Sequence, residues 1–156
     1  MTKTIFVPHE DNEASAKAIK YAIEIAKGLN MEIKLVRVVP EVLDFSTMSH
    51  WNDVERKRVK KALDRYKKNV REQEAEKLQK HVSKINSKGI KASATVVEGV
   101  NAAEKIADLV RQERPYLVVI ASKRLKLRGS LAKLRMLGSV ARRISEESTS
   151  PVLIVK

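Results

Sequence analysis

The chain of 156 residues contains no cysteine, which excludes a disulfide framework, a thiol nucleophile and a cysteine-ligated zinc site. Aromatic residues make up 4%, too few for the stacking platform on which proteins hold single-stranded nucleic acid. Glycine and proline are sparse, at five and four residues, and no low-complexity tract or internal repeat is present. Long apolar runs are missing as well. The longest, at 117–121 and 152–155, fall far short of the roughly 20 residues that a membrane span needs, so no membrane partner is expected. No N-terminal segment joins a basic start to an apolar stretch of about 7–15 residues; export is not signalled, and a cytoplasmic location is expected. Acidic side chains are also short in supply, 19 against 32 Lys and Arg, for a net charge of +13.

What is present is a globular composition. Hydrophobic residues account for 43%, and the length suits one domain over 1–156 with a proper core. The positive charge is local. Residues 55–88 hold thirteen basic and five acidic side chains, and residues 123–143 hold eight basic and none acidic. Two readings stand side by side: solvated faces of a helix and a loop, or patches that attract a polyanion such as nucleic acid.

Strand and helix signals alternate along the chain. KTIFVP at 3–8 is a short apolar run closed by proline, as in a buried strand. Asn12 and Ser15 offer capping chemistry before a helical stripe of Ala14, Ala18, Tyr21, Ala22, Ile25 and Leu29, ended by Gly28 and Asn30. A second strand is expected over 31–39, stopping at Pro40, and then a loop carrying Phe45, Met48 and Trp51. A long helix over 53–87 follows, with Val59, Leu63, Tyr66, Val70, Leu78, Val82 and Ile85 as its buried stripe. That stripe weakens at 73–76, where a bend or an exposed stretch is expected. A third strand covers 90–97, and Asn101 caps a helix with Ala103, Ile106 and Val110. The fourth strand spans 115–122 and is apolar on both faces, as when a parallel strand is covered on both sides. A last helix is expected over 139–147 and a fifth strand over 152–155. Right-handed crossovers then give an α/β fold: a single doubly wound domain, a five-stranded parallel sheet of order 3-2-1-4-5, with helices on both faces.

In such a sheet, ligands bind beyond the carboxyl ends of the strands where the strand order reverses, here between the first and fourth strands. Pro8, His9, Glu10 and Asp11 after one strand should therefore face Ala121, Ser122, Lys123 and Arg124 after the other, with Val38 at the border. Gly138 and Ser139 would open the last helix, whose amino end exposes N–H groups and a partial positive charge that attract phosphate. The same two residues also suit a plain turn and cap.

Several segments resemble the universal stress protein family, and the likeness covers nearly the whole chain. They are IFVPHEDNEASAKAIKYAIEIAK, LVRVVPE, LVVIASK and, at the C-terminus, LGSVARRI and TSPVLIVK. Members of that family carry Val-Pro-x-Asp at the first strand and a Gly-x2-Gly-x9-Gly-Ser/Thr signature from the fourth strand to the last helix. ATP-binding members use the first for the nucleoside and the second for ribose and phosphates. The resemblance thus implies ATP as cofactor, with Pro8 at the strand end, Glu10 in place of the Asp that contacts ribose, Val38 beside adenine, and Gly138, Ser139 and Val140 at the phosphates. Ala121 and Arg124 stand at the first two signature glycines, and thirteen residues separate Arg124 from Gly138. Glycine serves such loops because backbone N–H groups can approach oxygen with no Cβ in the way. Ala121 adds one methyl; Arg124 disfavours positive φ and alters the loop path. Lys123, Arg124, Lys126, Arg128, Lys133, Arg135, Arg142 and Arg143 surround the implied phosphate position, where guanidinium groups could replace the lost backbone contacts.

The resemblance also implies a homodimer paired through the last strands, here Pro151, Val152, Leu153, Ile154 and Val155; an exposed apolar edge gives an independent motive for such pairing. The expected work is binding or regulation, with adenine-nucleotide binding first and polyanion binding through 55–88 and 123–143 as its rival. Catalysis ranks last. His9-Glu10-Asp11 could hold acid/base groups, but no nucleophile–base pair, Walker loop or triad order can be named. His9, His50 and His81 share no zinc-ligand spacing, so no metal is expected.

Overall fold

The computed structural model describes residues 3–122 and 137–156. Five strands, β1 (Thr4–Pro8), β2 (Glu32–Pro40), β3 (Ala92–Gly99), β4 (Leu117–Ala121) and β5 (Val152–Val155), alternate with four helices, α1 (Glu13–Leu29), α2 (Asp53–Asn86), α3 (Ala102–Glu113) and α4 (Ser139–Glu147). The strands form one sheet of order β3-β2-β1-β4-β5, all paired in parallel, as the alternation of signals predicts. Strand alternation sorts the core. Ile5, Val7 and Val119 face one side with Ala18 and Ala22 of α1 and Leu78, Val82 and Ile85 of α2. Phe6, Val118 and Ile120 face the other, with Ile106 and Val110 of α3 and Ala141 and Ile144 of α4.

Asparagine caps set where three of the helices begin. Asn12 and Asn101 accept from the first-turn backbone of α1 and α3, and Asn52 forms a capping box with Glu55 at α2, satisfying donors that the first turn leaves orphaned. Helix α1 runs through Gly28 to Leu29, and Asn30 closes it in the left-handed conformation at φ 52°, which asparagine tolerates better than most residues.

Helix α2 departs from the sequence expectation in how much of its stripe is buried. Its 34 residues make it about 50 Å long at 1.5 Å per residue, longer than the nine-residue strand β2. Of its expected stripe only Leu78, Val82 and Ile85 are buried. Val59, Leu63 and Val70 are half-buried, and Tyr66 is 57% exposed. The amino-terminal half runs past the sheet and meets the short 3-10 turn Phe45–Thr47. The helix is continuous through 73–76, where Gln73, Ala75 and Glu76 are exposed, the second of the two expected outcomes. Glu74 occupies the inward position there, and Arg37 of β2 donates to it from Nε at 3.0 Å. An ion pair interrupts the apolar stripe there. Burial alone would raise the Glu74 pKa, but Lys77 and Arg37 hold it below the usual carboxylate range.

Among the described residues, no helix is long and apolar enough to cross a membrane.

Candidate functional site

The crevice begins with a proline. Lys3 and His9 direct backbone groups toward β2, through Glu32 N–H to Lys3 O at 3.0 Å and His9 N–H to Val36 O at 2.8 Å. Alternation turns Pro8 toward β4, where it has no N–H to donate. The β1–β4 ladder accordingly pairs Ile5 with Leu117 and Phe6 with Val118 and goes no further, whereas β1 stays paired with β2 through Pro8. The carboxyl ends of β1 and β4 part at the point where the strand order reverses.

A cavity of about 260 Å³ opens there, just below the roughly 300–1,000 Å³ typical of small-molecule pockets. Pro8, His9, Glu10, Val38, Ala121, Gly138, Ser139 and Val140 all line it, so the structure brings together most of the residues singled out from the sequence. Ser122 is buried and ties β4 to β5 through its N–H on Val155 O at 2.9 Å; it is absent from the cavity wall. Arg124 lies outside the described residues, as do Lys123, Lys126, Arg128, Lys133 and Arg135. Arg142 and Arg143 form ion pairs along their own helix, with Glu146 at 3.7 Å and Glu147 at 2.9 Å. Those two contacts follow the i,i+4 spacing of the helix surface.

Sequence reasoning did not assign Val36, Arg37, Ala102, Ile106, Ile120 and Ala141 to the lining. Their apolar periodicity marked some of them as core, and nothing local distinguishes a core side chain from a cavity wall. Asn12 and Ser15 read only as capping residues, yet they also shape the rim. Ser15 N–H donates to Asn12 Oδ1 at 2.9 Å, and Ser15 Oγ accepts from Glu10 N–H at 2.9 Å. The Asn12 amide donates to Glu10 Oε2 at 3.3 Å, which places this carboxylate at the mouth.

The floor is the amino end of α4. Gly138 caps it and makes no side-chain cap hydrogen bond, in contrast to the asparagine-capped starts of α1, α2 and α3. Ser139, Val140 and Ala141 occupy its first turn and face the cavity, bringing N–H groups and the positive end of the helix dipole with them. Apolar walls, a carboxylate at the rim and an electropositive floor together suit a ligand with a flat apolar ring, hydroxyls and an anionic end.

His9 sits at the edge of this cavity and is 4% exposed. Burial lowers its pKa to about 4, and the neighbouring His81 pushes in the same direction. The two rings meet edge to face at 4.6 Å, a juxtaposition that the spacing of the histidines in the sequence does not reveal.

Similar proteins extend this picture. The model of the Universal stress protein family matches residues 1–156. The chain is 29% identical to universal stress protein YxiE of Bacillus subtilis (strain 168) over 164 residues, covering 100% of each. Among solved structures, hypothetical protein MJ0577 superposes with a TM-score of 0.73 at 22% identity, over 100% of this chain and 96% of that one. A universal stress protein solved in complex with cAMP has a TM-score of 0.59 at 18% identity, over 99% of this chain and 97% of that one. The universal stress protein of Archaeoglobus fulgidus in complex with dAMP gives 0.59 at 16%, over 100% and 98%. With the family model spanning every residue and the sheet order, crevice and helix floor arranged as described, this chain belongs to the universal stress protein family.

Proposed function

We propose that this protein binds an adenine nucleotide in the crevice between β1 and β4, with ATP as the physiological form. The observation that carries the reading is the cavity whose floor is the glycine-capped amino end of α4. The cAMP and dAMP complexes of proteins with the same fold support it. In this arrangement Val38 borders the base, Glu10 accepts from the ribose hydroxyls, and Gly138, Ser139 and Val140 turn their N–H groups to phosphate. Calorimetric titration with ATP, AMP and cAMP at near-physiological salt tests it. A saturable heat with one of them and a matching rise in Tm is the expected result. Absence of both for all three rejects the reading.

A second reading concerns polyanions, and the overhang of α2 favours it. Arg56, Lys57, Arg58, Lys60, Lys61, Arg65 and Lys67 are clustered on a part of the helix that runs past the sheet, and among the described residues none forms an ion pair. Binding of duplex DNA through this end should weaken steeply with salt. The double substitution Lys57→Glu with Lys61→Glu should shrink the slope of log K against log salt by about two. A slope unchanged in the variant removes α2 from the interface.

The assembly proposed is a homodimer through β5. This strand lies at the sheet edge, bonded to β4 on one side, and Val152, Leu153 and Ile154 are only half-buried. An unpaired apolar edge is a template for a second strand. Leu153→Lys should shift sedimentation velocity from dimer to monomer while leaving the circular dichroism unchanged; a variant that sediments like the parent rules this edge out.

A further inference from the structure

We propose that His9, Asp11 and His81 form a binding site for one divalent transition-metal ion of the zinc, cobalt or nickel kind, a site distinct from the helix floor of the crevice. One potential ligand atom from each of the three lies within 4.8 Å of the others. His9 follows β1, where its backbone is pinned to Val36 O at 2.8 Å; Asp11 lies in the loop before α1, and His81 comes from α2. The second observation is the His9 side chain itself. It is 4% exposed, and neither Nδ1 nor Nε2 has a hydrogen-bond partner. A buried polar atom left unsatisfied is costly, and such a group calls for a reason. A metal ion would engage one of these nitrogens directly.

The donor set selects the metal. Two imidazoles with one carboxylate suit zinc and its late transition-metal neighbours, while calcium and magnesium favour all-oxygen shells. Three protein ligands leave a position for water or an anion, as in open zinc sites. At metal–nitrogen distances of about 2.0–2.1 Å, tetrahedral ligand atoms stand about 3.4 Å apart. The side chains must therefore draw in by roughly an ångström. His9 is fixed, so Asp11 and His81 make the movement, Asp11 from a side chain that is 55% exposed. Lys77 opposes the site from 4.0 Å off Asp11, but it holds a closer pair with Glu74 at 3.0 Å and can remain there.

Neither sequence motif nor the undescribed residues would supply these ligands. His81 lies 72 positions after His9, and residues 123–136 contain no His, Cys, Asp or Glu. The test uses the full chain, stripped with chelator and free of nucleotide, so its outcome is independent of the nucleotide reading. Titration with Co²⁺ should produce visible d–d absorption saturating at one equivalent. His81→Gln and Asp11→Ala, both outside the core, should each weaken binding at least tenfold, while His50→Gln should leave it unchanged. No absorption change in the parent overturns the proposal, as does parental affinity in His81→Gln or loss of affinity in His50→Gln.

Discussion

Phe6→Ala should lower the unfolding free energy by about 3–5 kcal/mol, the range for emptying a buried aromatic position. Phe6 is fully buried in the layer that joins the sheet to α3 and α4, against Val36, Ile106, Val118, Ile120 and Ala141. Four of these five also line the crevice: Val36, Ile106, Ile120 and Ala141. They are held by strands and helices whose backbones cannot close a ring-sized gap without breaking the ladder. Urea unfolding should therefore show a lowered midpoint with an unchanged slope. Val54→Ala, at a side chain that is 63% exposed on the overhang of α2, should stay within about 0.5 kcal/mol of the parent. Equal costs for the two would contradict the division of the protein into a packed sheet and a projecting helix end.

Val38→Trp should reduce nucleotide affinity at least 100-fold, equivalent to about 2.7 kcal/mol, with Tm changed by only a few degrees. Val38 is half-buried on β2 and forms part of the cavity wall. An indole there projects into a space of about 260 Å³ and takes the volume that a base would need. Because the side chain can occupy the existing cavity, overpacking of the core is not required, and stability should be spared. Calorimetry on the variant, beside its urea midpoint, separates blockage from unfolding. A folded Val38→Trp protein that binds ATP as the parent does would place the ligand elsewhere.

Much of this architecture was legible in the residues. Strands β1, β4 and β5 are short apolar runs, β2 alternates, each helix carries a stripe at helical spacing, and Asn12 and Asn101 mark helix starts by their own chemistry. Those signals are local, and handedness then restricts how parallel strands can follow one another. The switch point between β1 and β4 follows from that order, and with it the grouping of Pro8, Glu10, Ala121, Gly138 and Ser139 around one cavity.

The burial of α2 was less legible. Val59, Leu63, Tyr66 and Val70 continue the periodicity of Leu78, Val82 and Ile85, yet a stripe does not state how far the neighbouring sheet extends. Here the sheet ends before the helix does, so the same pattern is core at one end and surface at the other. Arg37 and Glu74 pose the related problem of a charge on a buried face, explained only once its partner is known.

The sequence by itself determined the order and kind of the elements and the caps at Asn12 and Asn101, because each depends on neighbours a few residues away. Tertiary structure alone decided that the apolar side chains Val36, Ile106 and Ile120 would wall a cavity. It also decided that His9 would meet His81 at 4.6 Å. Such meetings are set by strand register and by the packing of a helix across the sheet, distances that no run of adjacent residues encodes.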